Sequence, residues 1–455
     1  MNSKPEKPFD IVVLGAGESG VGAAILANKH GLSVFVSDYG QIAPRHQEEL
    51  AMYGIPYEQG RHSLELICHS LEVVKSPGVA ETTPVMKAVR KAGISVISEI
   101  ELAARYTDAY MIGISGSNGK TTTTMWLHHA LRSARLDVGL AGNIGFSLAR
   151  QVAYEPHQYY VIELSSFQLD DMYKFKANIA ILLNITPDHL DRYNHRFDLY
   201  AEAKMRIIQN MGPKESFIYW ADDPYVNRRV KELTPNIQLL PFSISRNEGE
   251  VSAFLNDKDE LEVKKNGEAI FCIKRSELAL PGAHNLQNAM AVALAASVVG
   301  ISNESLYQAL HVFRNVPHRL EFVRSLKDVR YVNDSKATNI QSTVAALESM
   351  TTPIVLILGG TDKGNDYSVI EEAVKEKAIG LVFLGVDNDK LHKAFDGKVA
   401  QIADARSMPE AVRKATEMAR PGSTVLLSPC CASFDLFSNY EDRGDQFRAC
   451  ALAMS

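Results

Sequence analysis

Short apolar runs alternate with helical stretches along the chain. Phe9 to Leu14 is a largely apolar run that enters Gly15-Ala16-Gly17-Glu18-Ser19-Gly20, and a helical stretch follows to Lys29. Ser33-Val34-Phe35-Val36-Ser37-Asp38 reads as a second short strand ending in an acid. This order predicts a βαβ opening, which pieces such as Leu71 to Lys75 extend. A first boundary is placed near Thr107 and Asp108. Met111 to Ser115 then feeds another glycine-rich turn and another helix, and strands are predicted at Tyr159 to Glu163 and Ile179 to Asn184. Around Phe254 to Ile273 the pattern alternates about Asn266-Gly267, a hairpin signal. The middle region therefore mixes parallel and antiparallel strands.

The remainder repeats an αβ rhythm, with strands predicted at Val329 to Val332, Ile354 to Leu358, Leu381 to Leu384 and Thr424 to Leu427, as in a doubly wound sheet. The reading is α/β, with domains over residues 1–108, 109–316 and 317–455. A length of 455 residues suits that division at about 150 residues per domain. Hydrophobic residues make up 46% and charged residues 22%, which argues against a disordered chain. With 48 basic and 54 acidic side chains the formal charge is −6, so no basic face for nucleic acid is expected. No apolar run approaches the ~18 residues of a membrane span. Pro5, Glu6, Pro8 and Asp10 precede any apolar stretch, unlike a signal peptide. The five cysteines include no CxxC and read as small packing residues in a reducing compartment. The expected setting is the cytoplasm.

Two glycine-rich turns carry the chemistry. Gly15, Gly17 and Gly20 form GxGxxG, with Asp38 at the distance of a ribose-binding acid. Such glycines let the backbone approach a pyrophosphate at a helix N-terminus. That pyrophosphate could belong to any nucleotide, so an NAD-dependent dehydrogenase stays open here. The second turn is Gly116-Ser117-Asn118-Gly119-Lys120-Thr121-Thr122. Its N–H groups suit phosphate oxygens, Lys120 adds a point charge, and Thr121 can bind Mg²⁺. A general P-loop has glycine where this chain has Ile114, so the loop is a variant. Glu163 and His189 follow predicted strands and could converge on the same site. By composition alone Lys204 is a surface residue. Asn285 and Asn288 could cap a helix. The strings Pro317-His318-Arg319, Asn333 to Asn339, Gly359 to Lys363 and Ser428 to Phe434 point to a shared ligand edge in the last domain.

Together these strings resemble the Mur ligases, which build the peptide of bacterial peptidoglycan with ATP. The resemblance spans essentially the whole chain, and Asn333 to Asn339 with Ser428 to Phe434 resemble the branch that adds D-glutamate. It implies a Rossmann-like first domain binding the UDP of UDP-N-acetylmuramoyl-L-alanine, a P-loop ATPase with a mixed sheet, and a Rossmann-like last domain carrying D-glutamate. A folylpolyglutamate-type ligase looks similar but begins with the ATPase, so residues 9 to 100 speak against it. A dehydrogenase leaves the second phosphate loop unexplained.

The resemblance also implies roles. Glu18, Ser19, Asp38 and Gly78 match UDP-contacting positions, and Asn143 lies at the substrate or nucleotide junction. Lys120 and the amides of Gly116 to Thr122 hold phosphates. Thr121 and Glu163 help bind one Mg²⁺ and His189 a second. Lys204 matches a lysine carbamylated by CO₂ into a metal ligand. Asn285, Asn288, Arg319 and Asp334 grip ATP, and Lys336 lies near the transferred phosphate. Thr338, Lys363, Ser433 and Phe434 match acceptor positions. Tyr440 stands where the family often has Phe. A monomer is expected.

Overall fold

The first apolar run forms β1 (Ile11–Leu14), followed by β2 (Val34–Asp38), β3 (Tyr57–Gln59), β4 (Glu72–Lys75) and β5 (Ser95–Ser98). These strands make one sheet of order β3-β2-β1-β4-β5, with every pair parallel. All four side chains of β1 are buried, as expected of a strand covered on both faces. The computed structural model describes residues 9–244, 251–313, 317–362 and 364–454. At the end of β1, Gly15 turns with φ +95°. A Cβ on Gly20 would lie 1.9 Å from the Gly15 carbonyl oxygen, so only glycine lets the helix Glu18–Lys29 pack this close to the strand.

The second sheet contains β6 (Tyr110–Ser115), β7 (Val138–Gly142), β8 (Tyr159–Glu163), β9 (Ile179–Leu182), β10 (Ser216–Trp220), β11 (Gln238–Ser243), β12 (Ala253–Leu255), β13 (Glu260–Lys265) and β14 (Glu268–Lys274). Its order is β14-β13-β12-β11-β10-β9-β6-β8-β7. The pairs β12–β13 and β13–β14 are antiparallel, and Asn266 and Gly267 turn that hairpin with φ +53° and +84°. The sheet is therefore mixed. β6 lies between β8 and β9, so its glycine-rich turn leaves the sheet flanked by Glu163 and by the loop after Leu182.

The third sheet contains β15 (Glu321–Leu326), β16 (Val329–Asn333), β17 (Ile354–Gly359), β18 (Ala378–Leu384), β19 (Ile402–Ala405) and β20 (Thr424–Cys430), in the order β15-β16-β20-β17-β18-β19. Only the edge pair β15–β16 is antiparallel. β16, β20 and β17 are neighbours, so the three strings at their carboxyl ends come out side by side.

The chain divides into two compact units, Met1–Leu278 with Leu286–Val312, and Ala279–Asn285 with Phe313–Ser455. The first two sheets share the first unit. Their junction is polar as well as packed. Glu99 accepts from the Ser147 hydroxyl at 2.7 Å and the Ala149 N–H at 2.5 Å. Arg150 reaches back to Glu18 at 2.8 Å and also to Glu49. No helix among the described residues is long and apolar enough to cross a membrane. In the helix Ala283–Val299, Ala289 to Ala296 are buried core.

Candidate active site

The turn after β6 is held in shape by its neighbours. Gly116 and Gly119 take φ +150° and +82°, left-handed backbone that turns the chain from the strand into the helix. Ile114 pairs with Glu163 inside the sheet; the variant loop therefore begins its turn at Gly116. Ser117 N–H donates to the Asn184 carbonyl at 2.9 Å and its hydroxyl to the Thr186 carbonyl at 2.8 Å. Asn118 N–H donates to the Asn184 side chain at 2.9 Å. The Tyr200 hydroxyl lies 2.9 Å from that of Ser117. Lys120, opening the helix Lys120–Ser133, curls over the turn and donates to the Gly116 and Ser117 carbonyls, both at 2.8 Å.

Glu163 is buried at the end of β8, and both its oxygens are engaged. Thr121 donates to one at 2.6 Å and the Asn143 amide to the other at 3.1 Å. Lys204 comes from the helix Phe197–Met205 and donates to the Gly116 carbonyl at 2.8 Å. Its residue is 2% exposed, which overturns the surface position that composition suggests. Burial holds its amine well below the ordinary lysine range, and the nearby Lys120 charge pushes the same way. Asp188, Glu163 and Asp170 oppose that shift. His189 lies in the loop beyond Leu182 with φ +51°, half-exposed, with its ring edge-on to Phe167 at 5.3 Å.

In the first sheet the predicted residues also gather at strand ends. Asp38 accepts from Ala16 N–H at 2.6 Å and Gly40 N–H at 2.7 Å, so its carboxylate closes the glycine turn. Gly17 and Gly78 are exposed, and a Cβ on either meets nothing within 4 Å. Ser19 is half-buried in the first helical turn, while Glu18 is committed to Arg150. Nearby, a cavity of about 510 Å³ is lined by Lys75, Arg90, Asp171 and Arg192 among others. Lys75 pairs with Asp171 at 2.7 Å and Glu81 at 2.5 Å.

The second unit carries the remaining residues. Asp334 is buried and accepts from Leu320 N–H at 3.1 Å and the Ser428 hydroxyl at 2.9 Å. Burial raises its carboxyl to about 6, with Arg319 the first influence in the opposite direction. Lys336 donates to the Tyr440 hydroxyl at 2.9 Å. Thr338 is half-buried, Ser433 buried and Phe434 72% exposed. Asn285 donates to the Pro281 carbonyl at 2.7 Å. In the first unit, the Asn288 side chain approaches within 2.5 Å of where a Gly119 Cβ would stand. Lys363 lies outside the described residues. Of the cysteines, Cys430 and Cys431 are buried while Cys272 is exposed, so the packing role fails for Cys272.

Known proteins match nearly the whole chain. Three family models match: "Mur ligase MurD-like, N-terminal domain" over residues 9–98, "Mur ligase middle domain" over 114–296, and "Mur ligase, glutamate ligase domain" over 318–431. A UDP-N-acetylmuramoylalanine--D-glutamate ligase of Porphyromonas gingivalis is 63% identical over 97% of this chain and 98% of its own length. The chain belongs to the Mur ligase family. A protein of the same name from Bacteroides fragilis is 52% identical over 96% of this chain and 98% of its own. Among solved structures, the UDP-N-acetylmuramate-alanine ligase MurC of Thermotoga maritima aligns with TM-score 0.63 at 18% identity, covering 98% of this chain and 99% of that one. A pseudomurein peptide ligase type C from Methanothermus fervidus aligns with TM-score 0.62 at 20% identity, covering 98% of this chain and 100% of that one. These two share the fold.

For a Mur ligase, the donors beside the phosphate loop suit a hard cation. The Thr121 hydroxyl and Glu163 carboxylate are oxygen ligands of the kind Mg²⁺ takes alongside phosphate. Among the described residues no group of three or more His, Cys, Asp and Glu side chains stands ready as a metal cage. Sequence reasoning missed Asn184, Tyr200, Lys75, Arg192 and Arg443. Lys75 left a signal, a charge ending the short strand Glu72–Lys75 after two valines. Arg443 left none, because an arginine within a helix reads as solvated surface.

Proposed function

We propose that this Mur ligase joins D-glutamate to UDP-N-acetylmuramoyl-L-alanine at the expense of ATP, making a peptidoglycan precursor in the cytoplasm as a monomer. The observation that carries this reading is the 63% identity, over nearly the whole chain, to a relative bearing that name. Residues 1–108 bind the UDP portion, 109–316 form the ATPase and 317–455 receive the amino acid. Glu18, Ser19, Asp38 and Gly78 face the UDP portion, and Asn143 the junction.

A carboxylate is a poor acyl donor, because its charge repels a nucleophile and oxide is a poor leaving group. In the proposed reaction the substrate carboxylate oxygen attacks the γ-phosphorus of ATP and ADP leaves. The D-glutamate amine then attacks the acyl-phosphate carbonyl, loses a proton, and phosphate departs with the original carboxylate oxygen. Bound Mg²⁺, at two sites in this reading, would offset the crowded negative charge.

Lys120 and the Gly116 to Thr122 loop hold phosphate oxygens through charge-assisted hydrogen bonds, with N–H groups other than those of Ser117 and Asn118, which donate to Asn184. Thr121 and Glu163 would hold one cation, and His189 with Lys204 the other. Lys204 needs to be a carbamate for that role. Its burial favours the neutral amine, the form that combines with CO₂ and releases a proton. Asn285, Asn288, Arg319 and Asp334 grip ATP, with Lys336 near the transferred phosphate. Thr338, Lys363, Ser433, Phe434 and Tyr440 receive D-glutamate. The test is to label the substrate carboxylate with ¹⁸O and analyse the released phosphate. One labelled oxygen in phosphate supports the acyl-phosphate route, and none refutes it.

A further inference from the structure

Lys336 and Tyr440 meet in a way that the three-dimensional arrangement alone reveals. Tyr440 opens the helix Tyr440–Ala453, whose N-cap Asn439 accepts from the Asp442 N–H at 2.7 Å. Its main chain is fixed by a relay. The Ser335 hydroxyl donates to the Tyr440 carbonyl at 2.8 Å and accepts from Arg443 Nε at 2.9 Å. Arg443, one helical turn after Tyr440, also donates to the Ser335 carbonyl at 2.8 Å and the Cys431 carbonyl at 3.1 Å. It is 1% exposed, so this clamp is shielded from water and binds the strings after β16 and β20 to one helix.

The phenol of Tyr440 completes the arrangement. Lys336 Nζ donates to its hydroxyl at 2.9 Å and lies 4.7 Å from the ring centroid. The Lys336 N–H is tied to the His318 carbonyl at 3.0 Å. Ser335 thus grips the main chain of Tyr440 while its neighbour Lys336 grips the side chain. A lysine carries several rotatable bonds, and a fixed acceptor for its ammonium removes much of that freedom.

We propose that the Tyr440 hydroxyl is a positioning group that aims the Lys336 ammonium at the transferred phosphate. This rests on the ligase reading, in which Lys336 acts on that phosphate. Tyr440→Phe keeps the ring and deletes only the hydroxyl. The hydrogen bond has a charged donor, and its loss lowers kcat about tenfold. The KM values for ATP and for the UDP-sugar substrate stay within about twofold, since neither is bound by the hydroxyl.

A second readout follows the lysine itself. Lys336 of the full-length variant is acetylated severalfold faster by an amine-reactive acetyl ester than in the unsubstituted chain, relative to Lys390, as read by peptide mass spectrometry. Unchanged kcat, unchanged Lys336 labelling, or a loss confined to the KM for D-glutamate would each overturn the proposal. The unsubstituted chain is assayed in parallel. If it forms no product with D-glutamate, the ligase reading fails, and the labelling ratio still decides whether Tyr440 holds Lys336.

Discussion

Glu99 offers a quantitative test of how the first two sheets are joined. It is 2% exposed and accepts from Ser147 and Ala149 through one oxygen. Among the described residues its other oxygen has no hydrogen-bond partner. Burial raises its carboxyl from 4.5 to about 7, against the pull of the Ala149 and Ser147 hydrogen bonds. At about 1.4 kcal/mol per tenfold change in proton affinity, that gap corresponds to roughly 3 kcal/mol. Between those two values the folded state binds more protons than the unfolded chain. The contribution is therefore fully present below pH 4.5 and lost as pH rises through about 7. Glu99→Gln keeps the volume and the accepting oxygen but removes the titration. Its amide also places an N–H₂ where the second oxygen finds no partner, costing about 1–2 kcal/mol at every pH. The variant is thus less stable than the native chain near pH 5 and more stable near pH 8, with the difference swinging by roughly 3 kcal/mol. Thermal melts of both chains across that range, followed through the transition of the first unit, read this directly. A stability difference that does not vary with pH would mean that the buried Glu99 carboxyl is not raised in the folded chain.

Other perturbations test the site. Lys204→Ala lowers turnover by at least about 100-fold while the protein still folds, and acetate or formate restores part of it; no restoration would count against a carbamate. Lys363→Ala raises the KM for D-glutamate at least about tenfold, leaving ATP affinity unchanged; lost ATP binding would move the residue to the nucleotide. Gly20→Ala sets a methyl against the rigid Gly15 carbonyl and costs about 3 kcal/mol. It should lower Tm and weaken UDP-sugar binding together, and an unchanged Tm would contradict the packing described.

The strand-turn-helix order was legible because each turn leaves a local signature. GxGxxG, the Gly116 to Thr122 loop and Asn266-Gly267 all need positive φ at fixed positions, and sequence shows those positions directly. The strings after β16, β17 and β20 were also visible, since polar residues after apolar runs mark strand ends. Their adjacency follows from the sheet order, which no local pattern encodes. The edge strands β15 and β19 were missed because they are only partly buried and so lack a continuous apolar run. Lys204 shows the limit of composition: a lysine reads as exposed until a helix carries it under the Gly116 carbonyl. Arg443 shows the same limit in a helix whose sequence looks solvated.

D-glutamate ligation is read out by following phosphate release with ATP, Mg²⁺ and UDP-N-acetylmuramoyl-L-alanine while amino acids are added singly. Release is expected to depend on D-glutamate and to be absent with L-glutamate. Release with a different amino acid, or with none of them, would contradict D-glutamate ligation.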